Sequence, residues 1–321
     1  MRNALLFVLT LLGASLCFGA EVYPSKAVRV IVTFGAGSNP DFTARSISLQ
    51  LSEQLGKSFV VDNRAGASGT IGYGIVGRSA PDGYTLSMAG SNFSILPGLD
   101  RSLPFDPVKD FTPITQIVRT PQVLVVPPSL KANTLKEFIA LAQENPGKFN
   151  YGSSGIGTTS NLSSNLFNIA AKVKIVHIPY KGGGGDIVNA MLGGQIQMTL
   201  LPIPSALAHV NSGKLRALAV TTDGKRFPLL PDVPSMSEAG VSGVTVYVWN
   251  GLVGPAGMPK EVVNKLHAEV VKAIAVPSVK ERFIAQGGEL TGNSPEDFSK
   301  HIGNELQRWS KVIKSAGITT E

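Results

Sequence analysis

Short runs of β-branched apolar residues alternate with segments of helical spacing along most of the chain. The run VRVIVTF is followed after a short gap by the amphipathic stretch DFTARSISLQLSEQL, and then by the next apolar run, SFVVDN. This alternation is typical of parallel strands joined by crossover helices, so it predicts an α/β fold. The first series comprises predicted strands at 28–34, 58–63 and 85–89 and predicted helices at about 41–55 and 69–78.

The same alternation starts again after the extended segment DPVKDFTPITQIV, which joins the two series. Two series in one chain predict two lobes, and about 300 residues are enough to give each lobe a buried core. The second series comprises predicted strands at 122–127, 149–153, 174–179, 196–201 and 214–222 and predicted helices at about 134–144, 159–170 and 186–192.

A Pro- and Gly-rich passage at 228–243 ends the second series, and the strand pattern TVYVWNGLVG precedes three helical segments. Their starts carry N-terminal signals at Pro259, at the capping-box pattern Ser278 to Glu281, and at Ser294. We expect these helices to pack on the first lobe, so that the chain crosses twice between lobes that bound a ligand cleft. The predicted boundaries are a signal peptide at 1–20, lobe 1 at 21–118 plus 225–321, and lobe 2 at 119–224.

The first twenty residues have the pattern of a secretory signal peptide. They combine Arg2, an apolar run, and small residues at Gly19 and Ala20, either of which is an expected cleavage point. The alternative is a lipoprotein anchored through Cys17, although Leu16 stands where a small residue is expected. Cleavage removes the single cysteine, and no later apolar run is long enough to span a bilayer. We therefore predict a periplasmic protein stabilised by its core.

The chain is moderately basic, which narrows its possible partners. It has 29 Lys and Arg against 22 Asp and Glu, a net charge of +7, and loss of Arg2 leaves 28 against 22, or +6. A positive charge favours acidic partners. The basic residues are scattered singly, without a basic stripe interleaved with aromatics, so nucleic acid is excluded. A small anionic solute fits this charge better.

The loop FGAGSNPD at 34–41 links the first predicted strand to the first predicted helix. A glycine-bearing loop at a helix N-terminus presents unpaired backbone N–H groups beside the positive end of the helix dipole, which attracts an anion. The alternative is an ordinary strand-to-helix turn with Asp41 as its N-cap.

Three further loops offer polar groups at strand ends. The loop YGSSGIGTTS at 151–160 mirrors the first loop and is rich in hydroxyls, although it also fits a Ser/Thr-capped turn. Ser91 and Asn92 either donate to a ligand carboxylate or cap the next helix. The loop PYKGGGGD at 179–186 lacks the Gly-Lys-Ser/Thr ending of a nucleotide-binding P-loop. In that loop, Tyr180 or Lys181 lines the cleft or is simply solvated.

No motif in the sequence nominates a catalytic or metal centre. The pattern GYGIVG at 72–77 matches a dinucleotide fingerprint but lies inside a helical stretch, so the match is chance. Asp106 and Asp110 lie in a Pro-bearing loop and form a turn. A G-x-S-x-G elbow and an H-E-x-x-H pair are both absent, and we expect no enzyme activity, cofactor or metal. The histidines without metal-ligand spacing are His177, His209, His267 and His301.

A series of short motifs runs through the whole mature chain in a specific order. They are YPSKAVRVIV, VVDNRAGASGTIG, APDGYTL, LPFDPVKDF, NPGKFNYGSSGIGTTSNL, VHIPYKGGG, PSALAHVNSGKLRALAVTT, LPDVPSMSEAGV and GPAGMPKEVVNKLHAEVVKA. With these motifs, the chain resembles the exported Bug-type receptors of the tripartite tricarboxylate transporter family. The resemblance implies a two-lobed periplasmic-binding-protein fold, type II-like, without catalysis. It also implies a monomer that closes around one small carboxylate and delivers it to a membrane permease.

In similar proteins the ligand carboxylate is held at the first strand-helix loop and, opposite it, by the hydroxyl-rich loop of the second lobe. Those positions correspond here to 34–41 and 153–159. The family usually reads Pro-Pro-Gly-Gly where this chain reads GAGSNPD at 35–41. We expect the cradle to be retained, while its water positions and its choice of ligand stay open. Asp41 either contacts the ligand or caps the helix. The predicted ligand-binding residues are Phe34, Ala36, Gly37, Ser38, Asn39, Asp41, Ser91, Asn92, Ser153, Ser154, Gly157, Thr158, Thr159, Tyr180 and Pro202.

The candidate ligands share a carboxylate: dicarboxylates, tricarboxylates, amino acids, nicotinate-like rings and aromatic carboxylates. Phe34, Phe93 and Pro202 form the apolar wall of the pocket or belong to the core. One alternative is a sensory receptor of the same fold that signals to a membrane kinase. Another is an exported hydrolase, which the absence of a nucleophile with its base disfavours.

Overall fold

The computed structural model describes residues 23–99, 102–180 and 184–319, which form two α/β lobes. The predicted signal peptide, with Cys17, and Lys181 lie outside the described residues. The strands are β1 (Val28–Val32), β2 (Phe59–Asn63), β3 (Thr85–Gly90), β4 (Phe111–Val126), β5 (Asn150–Ser153), β6 (Val176–Pro179), β7 (Thr199–Pro202), β8 (Arg216–Val220), β9 (Tyr247–Pro255) and β10 (Glu289–Leu290). The helices are α1 (Asn39–Leu55), α2 (Thr70–Gly77), α3 (Asn92–Leu99), α4 (Leu135–Glu144), α5 (Thr159–Ala171), α6 (Gly184–Leu192), α7 (Ile203–Asn211), α8 (Lys260–Ala275), α9 (Pro277–Ala285) and α10 (Pro295–Ala316), with a 3₁₀ turn at Ala67–Gly69 before α2.

The sheet of lobe 1 has the order β10-β4-β9-β3-β1-β2. β1 pairs in parallel with β2 and β3, as the sequence pattern predicts, while β9 runs antiparallel to β3 and β4. Helices α1 and α8 cover one face, where Val30 and Val32 are buried. An aromatic cluster containing Tyr73, Phe93 and Trp249 covers the other face. Coverage on both faces explains why β1 is an almost continuous apolar run.

β4 is one 16-residue strand that passes from lobe 1 into lobe 2. The sequence pattern predicts only its last part as a strand, because Pro113 and Pro121 interrupt the run. Pro113 lies at a shift in the register with β9, which is where a proline fits into a sheet. The last part of β4 pairs antiparallel with β7 and β8. Lobe 2 is therefore not an all-parallel sheet, and its parallel strand pair is β5 with β6.

The side chains of β4 alternate between two cores in lobe 2, as the two-residue period of a strand requires. Leu124 and Val126 face a core that contains the buried residues of α4 and α5. Val123 and Val125 face a second core that contains residues of α6 and α7. Lobe 2 is thus covered on both faces and positions the N-terminus of α5 at one end of the sheet.

The helix starts differ from the sequence expectations at two places. Ser38, not Asp41, is the N-cap of α1, and its side chain accepts from the Asp41 N–H. The predicted capping box at Ser278 is wrong, since Val276 is the N-cap of α9 and Pro277 takes the first helical position. Proline is favoured there because its fixed φ suits a helix start and its missing N–H is not needed. The predicted start at Ser294 is confirmed.

Helix α10 packs on both lobes. Phe298 belongs to the aromatic cluster of lobe 1, whereas Trp309 belongs to the lobe 2 core that also contains Phe138 and Phe167. Its 22 residues span about 33 Å at 1.5 Å per residue, which is long enough to reach across two small lobes. The boundaries of the lobes stay a prediction.

Candidate functional site

The two glycine loops predicted as a cradle fold alike. Ser38 caps α1 and Thr158 caps α5, each with a side chain that accepts from the N–H three residues later. The residue before each cap is a glycine with positive φ, 81° at Gly37 and 74° at Gly157. Each loop also has a bond between the N–H of its cap and a glycine carbonyl three residues earlier, 3.3 Å in both cases.

A second match between the loops involves the third helical residue. The Gly37 N–H donates to Asp41 Oδ2 at 2.9 Å, and the Gly157 N–H donates to Asn161 Oδ1 at 3.1 Å. The two loops therefore share the pattern Gly-x-Gly-Ser/Thr-x-x-Asp/Asn, at 35–41 and at 155–161. The sequence analysis predicted that the two loops are similar but missed this shared spacing, although it can be read directly from the sequence. The pattern builds two helix N-termini with the same backbone geometry.

Both N-termini line one cavity of 660 Å³ between the lobes. The first residues of α1 lie on one side of it, and the cap and first residue of α5 lie on the other. The lining residues are Phe34, Asn39, Pro40, Ala67, Ser68, Thr70, Gly90, Ser91, Asn92, Ile95, Leu96, Leu99, Ile156, Gly157, Thr158, Thr159, Val248, Trp249 and Asn250. None of these described lining residues is ionisable, so the polar groups that they offer a ligand are N–H groups, hydroxyls and amides.

A smaller cavity of 250 Å³ adjoins the first, because the two share Thr158, Thr159 and Val248. Its remaining lining residues come from lobe 2 and are Gln122, Ser154, Ser160, Gly184, Leu201, Pro202 and Ser205. We refer to the two spaces as the interlobe cavity and the side cavity. A depression of 680 Å³ along α10 is lined by residues of that helix alone, so it encloses nothing.

The polar side chains of lobe 1 at the interlobe cavity are held by protein hydrogen bonds. Asn92 Nδ2 donates to the Ser68 carbonyl at 2.6 Å, and the Tyr73 hydroxyl donates to Asn92 Oδ1 at 2.9 Å. Burial raises the pKa of Tyr73 to about 12, which keeps that hydroxyl a donor. Ser91 Oγ accepts from the Trp249 N–H at 3.0 Å, so its own hydroxyl hydrogen is free to donate.

The backbone at Ala67 and Ser68 lies in the left-handed region, with φ of 45° and 54°. Non-glycine residues rarely adopt this conformation, and it persists where the surrounding structure fixes it. The hydrogen bond from Asn92 to Ser68 is one such restraint. Both strained residues line the interlobe cavity, which is where strain of this kind is common.

Asn250, on β9, is hydrogen-bonded to the first turns of α1. Its Nδ2 donates to Asn39 Oδ1 and, at 3.2 Å, to Thr43 Oγ1. Sequence reasoning missed Asn250, although a single polar residue inside the apolar strand run TVYVWNGLVG is a usable signal. Asn39 lines the cavity, and with its oxygen accepting from Asn250 its amide still has N–H groups to donate.

Asp41 supports the first loop from beneath. Its side chain is buried and accepts from the Gly37 N–H, from Asn63 Nδ2 at 2.8 Å and from Arg45 Nε at 2.9 Å. Burial alone would raise the pKa of this carboxyl, but the bonds from Arg45, Gly37 and Asn63 hold the pKa below its usual range. Asp41 is neither the N-cap nor one of the residues that line the cavities, so its carboxylate stabilises the loop that does.

Ser153 plays a similar supporting part in lobe 2. Its buried hydroxyl accepts from the Gly155 N–H at 3.1 Å and lies 2.6 Å from His177 Nε2. Burial lowers the pKa of His177, so the imidazole is neutral at pH 7. The ring also stacks on Tyr151 at 5.0 Å. These contacts fix the second loop without placing Ser153 on the lining of either cavity.

The other predicted site residues divide between the cavities and the rest of the molecule. Phe34, Asn39, Ser91, Asn92, Gly157, Thr158 and Thr159 line the interlobe cavity, and Ser154 and Pro202 line the side cavity. Gly37 and Ser38 shape the first loop, and Ala36 is exposed beside it. Tyr180 lines a different depression, with Asp186. Phe93, a candidate for the apolar wall, is fully buried in the aromatic core.

The described residues bear on two alternative functions, metal binding and membrane insertion. Within residues 23–99, 102–180 and 184–319, His, Cys, Asp and Glu side chains do not gather in a group of three or more able to hold a metal ion. In the same described parts of the chain, each helix is too short or too polar to cross a membrane.

Comparison with known proteins identifies a family of receptors. The sequence model described as "Tripartite tricarboxylate transporter family receptor" matches residues 43–318. Protein BugT of Bordetella pertussis is 33% identical over 307 residues, which cover 95% of this chain and 94% of that protein.

Solved structures agree with this match. An R. palustris protein solved with adipate is 35% identical with a TM-score of 0.81, covering 93% of this chain and 100% of that one. MatC from Rhodopseudomonas palustris, solved with bound malate, is 30% identical with a TM-score of 0.77, covering 91% of this chain and 100% of that one. The family and its solved members are periplasmic solute-binding receptors and not enzymes.

Proposed function

This chain belongs to the receptor family of the tripartite tricarboxylate transporters, and we propose that it captures a small carboxylate-containing solute between its lobes and delivers it to a membrane permease. The proposal includes export through the signal peptide at 1–20 and action as a monomer in the periplasm. The net positive charge of the chain supports it, since a basic surface attracts anionic solutes.

One observation carries the proposal: the N-termini of α1 and α5, from opposite lobes, line the same cavity. The first N–H groups of a helix have no partner within the helix and lie at the positive end of its dipole. Pro40 has no N–H, and the caps Ser38 and Thr158 accept from Asp41 and Asn161. The N–H groups left for a ligand are therefore those of Asn39 in α1 and of Thr159 and Ser160 in α5. A carboxylate between the two termini accepts hydrogen bonds from both lobes, so its binding favours the arrangement in which the lobes meet.

Among the residues that the structure describes, those that line the interlobe cavity include no ionisable group, which suits a carrier. A buried Arg would hold a carboxylate through a strong bidentate pair, whereas N–H groups and hydroxyls hold it more weakly and permit release. We assign the lobe 1 contacts to Asn39 and Ser91 and the lobe 2 contacts to Thr158 and Thr159. Phe34 supplies apolar wall, because it lines the cavity and is only partly buried.

A thermal-shift screen of the purified protein at neutral pH tests the proposal. The panel contains succinate, glutarate, adipate, malate, aspartate and nicotinate, with glucose as an uncharged control. A ligand at 100 times its Kd stabilises the protein by about 2.7 kcal/mol, which raises the Tm by several degrees. We expect at least one carboxylate to give this shift and glucose to give none. A flat response to all carboxylates, with a shift from glucose, would contradict the anion-binding site.

A further inference from the structure

The side chain of Gln122 is buried without a hydrogen-bond partner among the described residues. Only 1% of Gln122 is exposed, and both Nε2 and Oε1 are unpartnered. Its backbone is fully engaged, because the N–H donates to Thr221 Oγ1 at 2.8 Å and the carbonyl accepts from the Thr221 N–H at 2.9 Å. A buried amide with no partner is costly, so a native protein rarely carries one without a role.

Gln122 lies on the wall of the side cavity, on the face of β4 that looks toward α5. The same wall carries the hydroxyls of Ser154, Thr159 and Ser205, for which the described chain offers no hydrogen-bond partner. The side cavity adjoins the interlobe cavity at Thr158 and Thr159. A ligand whose carboxylate lies at the α5 N-terminus can therefore extend its other end to Gln122.

We propose that the side cavity is a subsite for a neutral group that both donates and accepts hydrogen bonds, such as a carboxamide or a hydroxyl, at the far end of the bound carboxylate. This inference rests on the proposed function and specifies its substrate class: monocarboxylates with a neutral polar end. Solutes with a carboxylate at each end bind less tightly.

The amide of Gln122 favours this class for a chemical reason. It offers donors at Nε2 and an acceptor at Oε1, and a ligand carboxamide satisfies both. A carboxylate only accepts, so it pairs with Nε2 and leaves Oε1 unpaired in a buried place. An ammonium group finds acceptors there but no opposite charge, because the described residues that line the side cavity include no carboxylate.

Matched ligand pairs measured by isothermal titration calorimetry test the inference. Each pair consists of a dicarboxylate and its monoamide of equal length: succinate and succinamate, glutarate and glutaramate, adipate and adipamate. We expect the wild-type protein to bind at least one monoamide about ten-fold more tightly than its dicarboxylate. Gln122→Met keeps the shape of the side chain without its hydrogen bonds, and we expect it to reduce the preference to less than about three-fold.

Gln116→Met is the matched control. Gln116 lies on the same strand, is 5% exposed and also has an unpartnered Nε2, but it lines neither cavity. We expect this variant to keep the preference of the wild-type protein.

The possible outcomes distinguish a failure of the proposed subsite from a failure of the proposed receptor function. Tighter or equal binding of every dicarboxylate to the wild-type protein would overturn the inference and leave the receptor function in place. The same holds if Gln122→Met keeps the wild-type preference. If no member of either series binds, while an uncharged sugar does, the proposed capture of a carboxylate itself fails. The wild-type comparison needs no variant, so the inference is testable even if Gln122→Met does not fold.

Discussion

Replacing Gly157 with alanine is expected to weaken ligand binding about 30-fold while the protein still folds. Gly157 belongs to the second loop, and a Cβ at this position would overlap the Leu99 side chain of lobe 1. Overpacking of this kind costs about 1–3 kcal/mol, and about 2 kcal/mol corresponds to 30-fold in Kd. The clash arises only where the lobes meet, so it penalises the ligand-bound arrangement more than an open one.

Gly37→Ala is the matched control for Gly157→Ala. Gly37 has nearly the same φ, but a Cβ there meets nothing within 4 Å. Both variants carry the backbone strain of alanine at positive φ, about 1–2 kcal/mol of stability, and only Gly157→Ala adds the clash between lobes. Calorimetric titration with a ligand from the screen should show a much larger loss for Gly157→Ala. Adding Leu99→Ala to it should restore part of the affinity, and equal losses in the two glycine variants would contradict the contact between lobes.

Removing the carboxylate of Asp41 is expected to lower the free energy of unfolding by about 3 kcal/mol. Asp41→Ala removes the acceptor of the Gly37 N–H and one of the two acceptors of Asn63 Nδ2, which keeps its bond to the Phe34 carbonyl. Each lost bond of this kind costs about 1–3 kcal/mol. The ion pair with Arg45 adds little, because that side chain is 54% exposed. Urea unfolding at pH 7 measures the loss. A decrease below about 1 kcal/mol would show that the first loop holds its shape without Asp41.

The same carboxylate predicts a pH dependence. Its pKa is lowered in the folded protein, so its contribution to stability is complete above the ordinary carboxyl pKa and is lost as pH falls through the lowered pKa. We therefore expect the stability gap between wild type and Asp41→Ala to shrink as pH falls from 5 toward 2. Other carboxylates with lowered pKa, such as Asp62 and Glu269, are present in both proteins and cancel in the difference. A gap that stays constant over this range would mean that the charge of Asp41 contributes nothing.

The sequence was informative wherever one physical signal dominated. Short runs of β-branched apolar residues predicted the parallel strands β1, β2 and β3, and glycine-bearing loops before a helical pattern predicted the two loops at helix starts. The role of Asp41 was harder to predict, because an acidic residue near a helix start fits the N-cap and the third helical position equally well. The structure distinguishes these, because Ser38 is the N-cap and its side chain accepts from the Asp41 N–H.

The sequence failed where long-range packing decides the outcome. β4 reads as two segments separated by prolines, and its pairing with β9 joins them into one strand. Gln122 and Asn250 reach the cavities because strands from distant parts of the chain bring them there. Tyr180 follows a strand end as the other loop residues do, yet its strand β6 places it on a different depression. Local pattern cannot reveal which strand ends share a cleft.

A crystal structure with a carboxylate from the screen would show directly how the ligand is held. We expect the ligand carboxylate to lie in the interlobe cavity, with its oxygens about 2.7–3.2 Å from backbone N–H groups at the N-terminus of α1 or α5. We also expect residues of both lobes to contact the ligand. A ligand held instead by a Lys or Arg outside the cavity, or bound with its carboxylate in solvent away from both helix N-termini, would show that the two helix N-termini do not form the binding site.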